Sequence, residues 1–243
     1  MLSVLIHFNS FHTFFKTFQL DFYDLFYIYI NISTLQIPNL SSTQLQHPTS
    51  GNIGAKENSA TTLFSLSVLE DYKIKIGRSV AVKSLANLLE SGTLRGKKDA
   101  ATTLFNLSIF HENKARIVQA GAVKYLIELM DPETGMVDKA IALLANLSTI
   151  PEGCSAIARE GGILILVEVV ETGSDRGKEN AASILMQLYL HSHKLCNLVL
   201  QEGAIPPLVA LSQSGTLRAR QKAQQILSHF HSQREGIIAE AKS

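Results

Sequence analysis

From about residue 50 onward, apolar side chains recur at three- and four-residue intervals, and the phrase they compose is written four times. Lys56 to Ser67 reads KENSATTLFSLS and Lys97 to Ser108 reads KKDAATTLFNLS, followed by DKAIALLANLS from Asp138 and KENAASILMQL from Lys178. In the stretch 122–130, Val123, Leu126, Ile127 and Met130 fall on one side of a helix. A longer helix over about 136–148 turns Ala140, Leu143, Leu144 and Leu147 inward. A short helix over about 112–119 precedes them, Gly121 breaks it, and Asp131 with Pro132 forces a turn between the other two. Three helices per unit are therefore predicted. The same grammar recurs at Gly161 and Gly203, with loops at Thr172, Gly173 and Ser174 and at Ser214, Gly215 and Thr216. Glycine there permits positive φ and close approach of two helices. Val80 stands where the other units have glycine, so a strained or differently shaped corner is expected.

Ser65, Asn106, Asn146 and Gln187 occupy one place in the phrase, with steps of 41, 40 and 41, and His229 lies 42 further on. A fixed period of about 40 to 47 residues is the signature of stacked helical repeats of the HEAT or armadillo kind. The expected class is all-α, an α-solenoid whose repeats each bury their apolar faces against their neighbours. Such a stack is a surface for holding something, and chemistry starts from a low prior.

Composition changes the picture at two points. Residues 1–49 carry only three charges, Lys16, Asp21 and Asp24, and ten of the seventeen aromatics lie before Ile30. The segment lacks the positive start of a secretory signal, its longest clean apolar run is Leu25 to Ile30, and it contains no arginine for a presequence. It is read as foreign to the repeats, a misjoined exon or translated intron. The repeats then occupy 50–234, with 235–243 as a tail. The formal net charge of +1 gives no push toward nucleic acid or an acidic membrane, and no membrane insertion is expected. Cys154 and Cys196 stand apart from any CxxC spacing and read as small buried residues of a reduced compartment. The cytoplasm is expected, with the nucleus as the alternative.

Other chemistry is not supported. His191 with His193, and His229 with His231, point to different sides of a helix, and no further ligands converge for zinc. There is no GxxxxGK loop and no GxSxG elbow. Tyr72, Tyr125 and Tyr189 read as packing. No catalytic residue, metal or cofactor is expected.

The words GNIGAKENSATTLFSLS, GKKDAATTLFNLSIFHENK, AGAVKYLIELMDPETGMVDKA, EGGILILVEVVETGSDRGKENAA and EGAIPPLVALSQSGTLRARQKAQQIL resemble the C-terminal armadillo array of plant U-box ubiquitin ligases. The resemblance implies a right-handed α-solenoid of about four to five armadillo repeats that recruits a protein substrate or a receptor-like kinase segment. It also implies an upstream U-box that recruits the conjugating enzyme. The 49 residues ahead of the array are fewer than such a domain occupies and do not look like one. The reading is a protein-interaction scaffold related to the ubiquitination pathway and not itself an enzyme. The alternatives are an active ligase with a truncated gene model, and an adaptor of the importin or catenin kind. The first helix, about Ile53 to Val68, lacks the helices that would cover its outer side, so self-association through that edge is also expected.

The resemblance places the third helices along a concave groove, with Asn106 and Asn146 as a ladder that holds a peptide backbone. The ladder weakens to Ser65, Gln187 and His229. Four residues earlier lie Thr61, Thr102, Ala142, Ser183 and Gln225. Arrays that bind nuclear localisation signals use tryptophan at that position, and this chain has none. The competing reading is that the two asparagines only tie adjacent loops together. A second candidate is a basic rim of Lys56, Lys97, Lys98, Lys139, Lys178, Arg218, Arg220 and Lys222, suited to an acidic or phosphorylated segment. Its bland alternative is solvated surface, with Glu57, Asp99, Asp138 and Glu179 interleaved.

Overall fold

A computed structural model describes residues 53–240, and the expectation for residues 1–49 lies outside them. Thirteen α-helices and one 3-10 turn follow one another, with no strand among the described residues. A lone leading helix, α1 (Ile53–Ser67), precedes four three-helix units. They are α2 (Glu70–Gly77), α3 (Ala81–Ser91) and α4 (Leu94–Ser108); α5 (His111–Gln119), α6 (Ala122–Glu128) and α7 (Val137–Leu147); α8 (Pro151–Arg159), α9 (Gly162–Thr172) and α10 (Asp175–His191); and α11 (His193–Gln201), α12 (Ile205–Ser214) and α13 (Leu217–Glu240). The last helix runs on into the stretch read as a tail.

The third helices α1, α4, α7, α10 and α13 pack in succession, each on the next, and α2, α5 and α8 do the same for the first helices. The repeated phrase supplies the reason. A buried alanine recurs in the phrase, Ala100, Ala140, Ala181 and Ala223 at one position and Ala60 one residue later, where a small side chain lets helices approach. Leucines a turn and two turns further on, such as Leu104, Leu107, Leu144 and Leu147, have no exposed surface. Each fully buried leucine contributes about 1.5–3 kcal/mol of transfer free energy, and together these side chains form the continuous core that the stack needs.

The corners separate two uses of glycine. Gly121, Gly161 and Gly203 adopt φ of 81°, 78° and 75° between first and second helices, a left-handed conformation that costs other residues about 1–2 kcal/mol. Val80 at the equivalent place is right-handed, with φ −64°. There Ser79 Oγ accepts from the Ala81 amide at 3.2 Å and donates to the Ile76 carbonyl at 2.8 Å. That corner is differently shaped and unstrained. The loop glycines Gly173 and Gly215 do not use positive φ, since both are extended at −70° and −76°. Their need is steric: a Cβ on Gly173 would sit 2.6 Å from the Val169 carbonyl oxygen.

Candidate protein-binding face

The ladder positions share one face of the stacked third helices. Thr61, Ser65, Thr102, Asn106, Ala142, Asn146, Ser183 and Gln187 are all half-buried, and Gln225 and His229 at the end are exposed. Asn106 Nδ2 donates to Ser67 Oγ at 2.9 Å, and Asn146 Nδ2 donates to Ser108 Oγ at 2.9 Å. Each serine is fully buried and donates in turn to a carbonyl of its own helix, Phe64 and Phe105. Each ladder amide is thus clasped to the preceding repeat, as the loop-tying reading expects. The bond uses one of the two amide hydrogens and fixes the orientation of the group, leaving Oδ1 able to accept from a partner. Gln187 makes no such bond, and His229 lies 5.5 Å from the Tyr189 ring.

A second polar column was hidden in the sequence as mere charge interleaving. Glu57 Oε1 accepts from the Thr93 amide at 3.1 Å and from the Thr93 hydroxyl. Asp138 Oδ1 accepts from Ser174 Oγ at 2.7 Å, and Glu179 Oε2 from Thr216 Oγ1 at 3.2 Å. In each case an acid near the start of one third helix holds the hydroxyl that caps the next, since Thr93 and Ser174 accept from the amides of Gly96 and Gly177. Helix capping and repeat stacking are therefore one device. The signal legible in the sequence is an acid followed about 36 residues later by Ser or Thr before a third helix.

The family model of the plant U-box protein ARM repeat region matches residues 44–241. This chain belongs to that family. It is 73% identical to the Arabidopsis thaliana U-box domain-containing protein 4 over 107 residues, 44% of this chain and 13% of that protein. It is 67% identical to the Arabidopsis thaliana U-box domain-containing protein 3 over 114 residues, 47% of this chain and 15% of the relative. The chain thus spans a small part of the curated relatives it matches. Among solved structures, computationally designed armadillo repeat proteins for modular peptide recognition match with a TM-score of 0.67 at 20% identity, over 74% of this chain and 78% of that one. A designed armadillo repeat protein in complex with the peptide (KR)4 matches with a TM-score of 0.66 at 18% identity, over 76% and 80%. The fold is the armadillo α-solenoid.

Within the ARM repeat array the basic rim is partly engaged. Lys139 Nζ donates to Thr102 Oγ1 at 3.3 Å, Lys178 Nζ to the Glu171 carbonyl at 2.9 Å, and Arg218 lies 3.8 Å from Glu179. Aligned on the ladder, Lys56, Lys97, Lys178 and Arg220 share one register, Val137 interrupts it, and Lys98, Lys139, Lys222 and Arg218 fall in others. Asp99 carries a further link, accepting from Thr61 Oγ1 at 2.7 Å.

Sequence reasoning also missed Asn113. It has no exposed surface and donates to the carbonyls of Lys73 and Leu107, each at 3.0 Å, so it stitches one first helix to the first and third helices of the preceding unit. Gly77 makes the room, since a Cβ there would collide with its side chain. Cys154 and Cys196 are buried, and burial pushes the Cys154 thiol up to about 11. That removes the thiolate that nucleophilic chemistry requires. No group of three or more His, Cys, Asp or Glu side chains converges on a metal position among the described residues.

Proposed function

We propose that this chain is a protein-binding array that holds an extended segment of a protein substrate or receptor-like kinase along its third helices, and that ubiquitin transfer belongs to a U-box acting with it. The observation that carries this is the pair of half-buried amides at Asn106 and Asn146, oriented alike by Ser67 and Ser108. Two acceptors fixed one repeat apart suit the N–H groups of an extended backbone, whatever its side chains. The solved neighbour that holds a (KR)4 peptide supports the use of this fold for peptides. The absence of tryptophan argues against the same basic cargo here. Two buried, high-pKa thiols suit a reducing cytoplasm or nucleus.

The test is to pan the immobilised full chain against displayed libraries of unstructured peptides. The wild type enriches sequences, and the Asn106→Ala/Asn146→Ala variant enriches none while keeping its helical circular dichroism. Enrichment that survives both substitutions would confine these amides to tying repeats together.

A further inference from the structure

The second helices carry a feature that the third-helix reading does not use. Between α9 and α12 the surface sinks into a depression floored by Val167, Val170 and Leu211, with Leu164 and Pro206 at its wall. Leu164, at the wall, leaves 48% of its surface exposed. Large aliphatic side chains gathered at one place mark contact surfaces in a way that scattered ones do not.

Four carboxylates border this apolar patch: Glu168, Glu171, Asp175 and Glu202. The salt bridges of the described residues lie elsewhere, at Glu112, Glu128, Glu160 and Glu179. The single ammonium of the depression, Lys178, is held against the Glu171 carbonyl at 2.9 Å. Pro206 and Pro207 open α12 at this point. Having no N–H, they withdraw two of the donors with which a helix start would otherwise attract an anion. They also hold that wall rigid, which lowers the ordering cost of binding.

We infer that the depression between α9 and α12 is a second docking site, for a basic protein segment that carries one apolar anchor residue. An aliphatic side chain seated on Leu164 and Val167 removes apolar surface from water on both partners, while arginines or lysines flanking it meet four carboxylates that form no salt bridge among the described residues and outnumber the one ammonium beside them. An acidic or phosphorylated segment would face four like charges there. The site is centred on second helices, with Asp175 and Lys178 contributed by the first turn of α10, and it does not depend on the peptide reading above. A second copy of the chain is the rival occupant, since Leu94 and Leu217 are exposed beside Arg95 and Arg218.

The probe is a fluorescein-labelled peptide with a leucine between two arginines on each side, titrated into the full chain and read by anisotropy. Binding is expected to weaken about tenfold in Glu168→Lys/Glu202→Lys and in Leu164→Ser, to fall as salt rises, and to stay unchanged in Asn106→Ala/Asn146→Ala. These rim side chains are exposed, so circular dichroism should show the fold intact. The peptide with serine in place of leucine should bind more weakly. Equal binding of that peptide would reduce the effect to diffuse charge and overturn the assignment. Loss of binding in the asparagine variant alone would move the peptide to the third helices. Sedimentation of the free chain as an oligomer that Glu168→Lys/Glu202→Lys dissociates would make a second copy the occupant, and the proposal would fail.

Discussion

Two junctions between third helices, one repeat apart, are built differently. From α1 to α4 the contact is clasped by Glu57 on Thr93, and Thr93 is extended just before the helix, with ψ 169°. From α4 to α7 the position of the acid is held by Lys98, and a 3-10 turn at Pro132–Thr134 replaces the extended cap. Met136 then enters the helix directly in a right-handed conformation, and its side chain is almost wholly buried. The spacing gives the cause. Val82 to Asn106 spans 24 positions, as do Ile163 to Gln187 and Ile205 to His229, whereas Val123 to Asn146 spans 23. With one residue fewer there is no room for an extended hydroxyl cap. Apolar burial at Met136 stands in for the polar clasp, so the stack is held by packing and the clasp adds register.

If packing dominates, the largest effect should come from the core of the unclasped junction. Leu144→Ala, which truncates a side chain with no exposed surface, is expected to destabilise the array by about 3 kcal/mol. Urea unfolding followed by circular dichroism measures it. A loss below about 1 kcal/mol would mean that the core relaxes around the cavity and that the comparison is wrong.

The corners come next. Gly161→Ala places a Cβ at φ 78° and should cost about 1–2 kcal/mol, although nothing lies within 4 Å to clash with it. Val80→Gly should also destabilise, by about 0.5–1 kcal/mol, because the right-handed Val80 corner gains nothing from a freer backbone. A stabilising Val80→Gly would show that the first corner is strained after all. The melting temperatures of the two variants and wild type decide it.

Below these stands the clasp itself. Ser174→Ala removes both a helix cap and the bond to Asp138 and is expected to cost about 1 kcal/mol. In a double-mutant cycle with Asp138→Ala the two losses should fall short of additivity, because each change breaks the same bond. Additive losses would reduce Ser174 to a cap alone.

Much of this was legible in the sequence. The three-helix grammar, the inward leucines and the corner glycines follow from periodicity and turn chemistry, because local spacing dictates which face is buried. Asn113 was not legible, since it reads as one polar residue in a surface-like helix and is buried only because Gly77, 36 positions earlier, clears its space. The clasps were legible only as charge balance, since their partners lie a full repeat away. The departures from a 41-residue step were visible as numbers, but their meaning needed the loop: the step of 40 falls where the cap is lost. The step of 42 falls where α10 extends to His191 and packs Tyr189 edge-on against Phe230, ring centroids 5.1 Å apart.

The smallest effect sharpens the comparison most, because the two ladder asparagines span the two kinds of junction with bonds of equal length. Asn106 ties α4 to Ser67 where Glu57 and Thr93 also hold, and Asn146 ties α7 to Ser108 where they have no counterpart. Each alanine substitution removes the bond that a buried serine oxygen accepts, while its own donation to a helix carbonyl remains, and should cost about 1 kcal/mol. The cost should be larger for Asn146→Ala by about 0.5 kcal/mol, because only the 3.3 Å bond from Lys139 to Thr102 then links α7 to α4 through polar side chains, whereas the α1–α4 junction keeps both the Glu57–Thr93 clasp and the Thr61–Asp99 bond. Adding Glu57→Ala to Asn106→Ala should then raise its cost to the level of Asn146→Ala or beyond. Equal costs for the two single variants would mean that the clasp lends the ladder no support, and that the half-buried amides act on each repeat independently of how it is joined to the next.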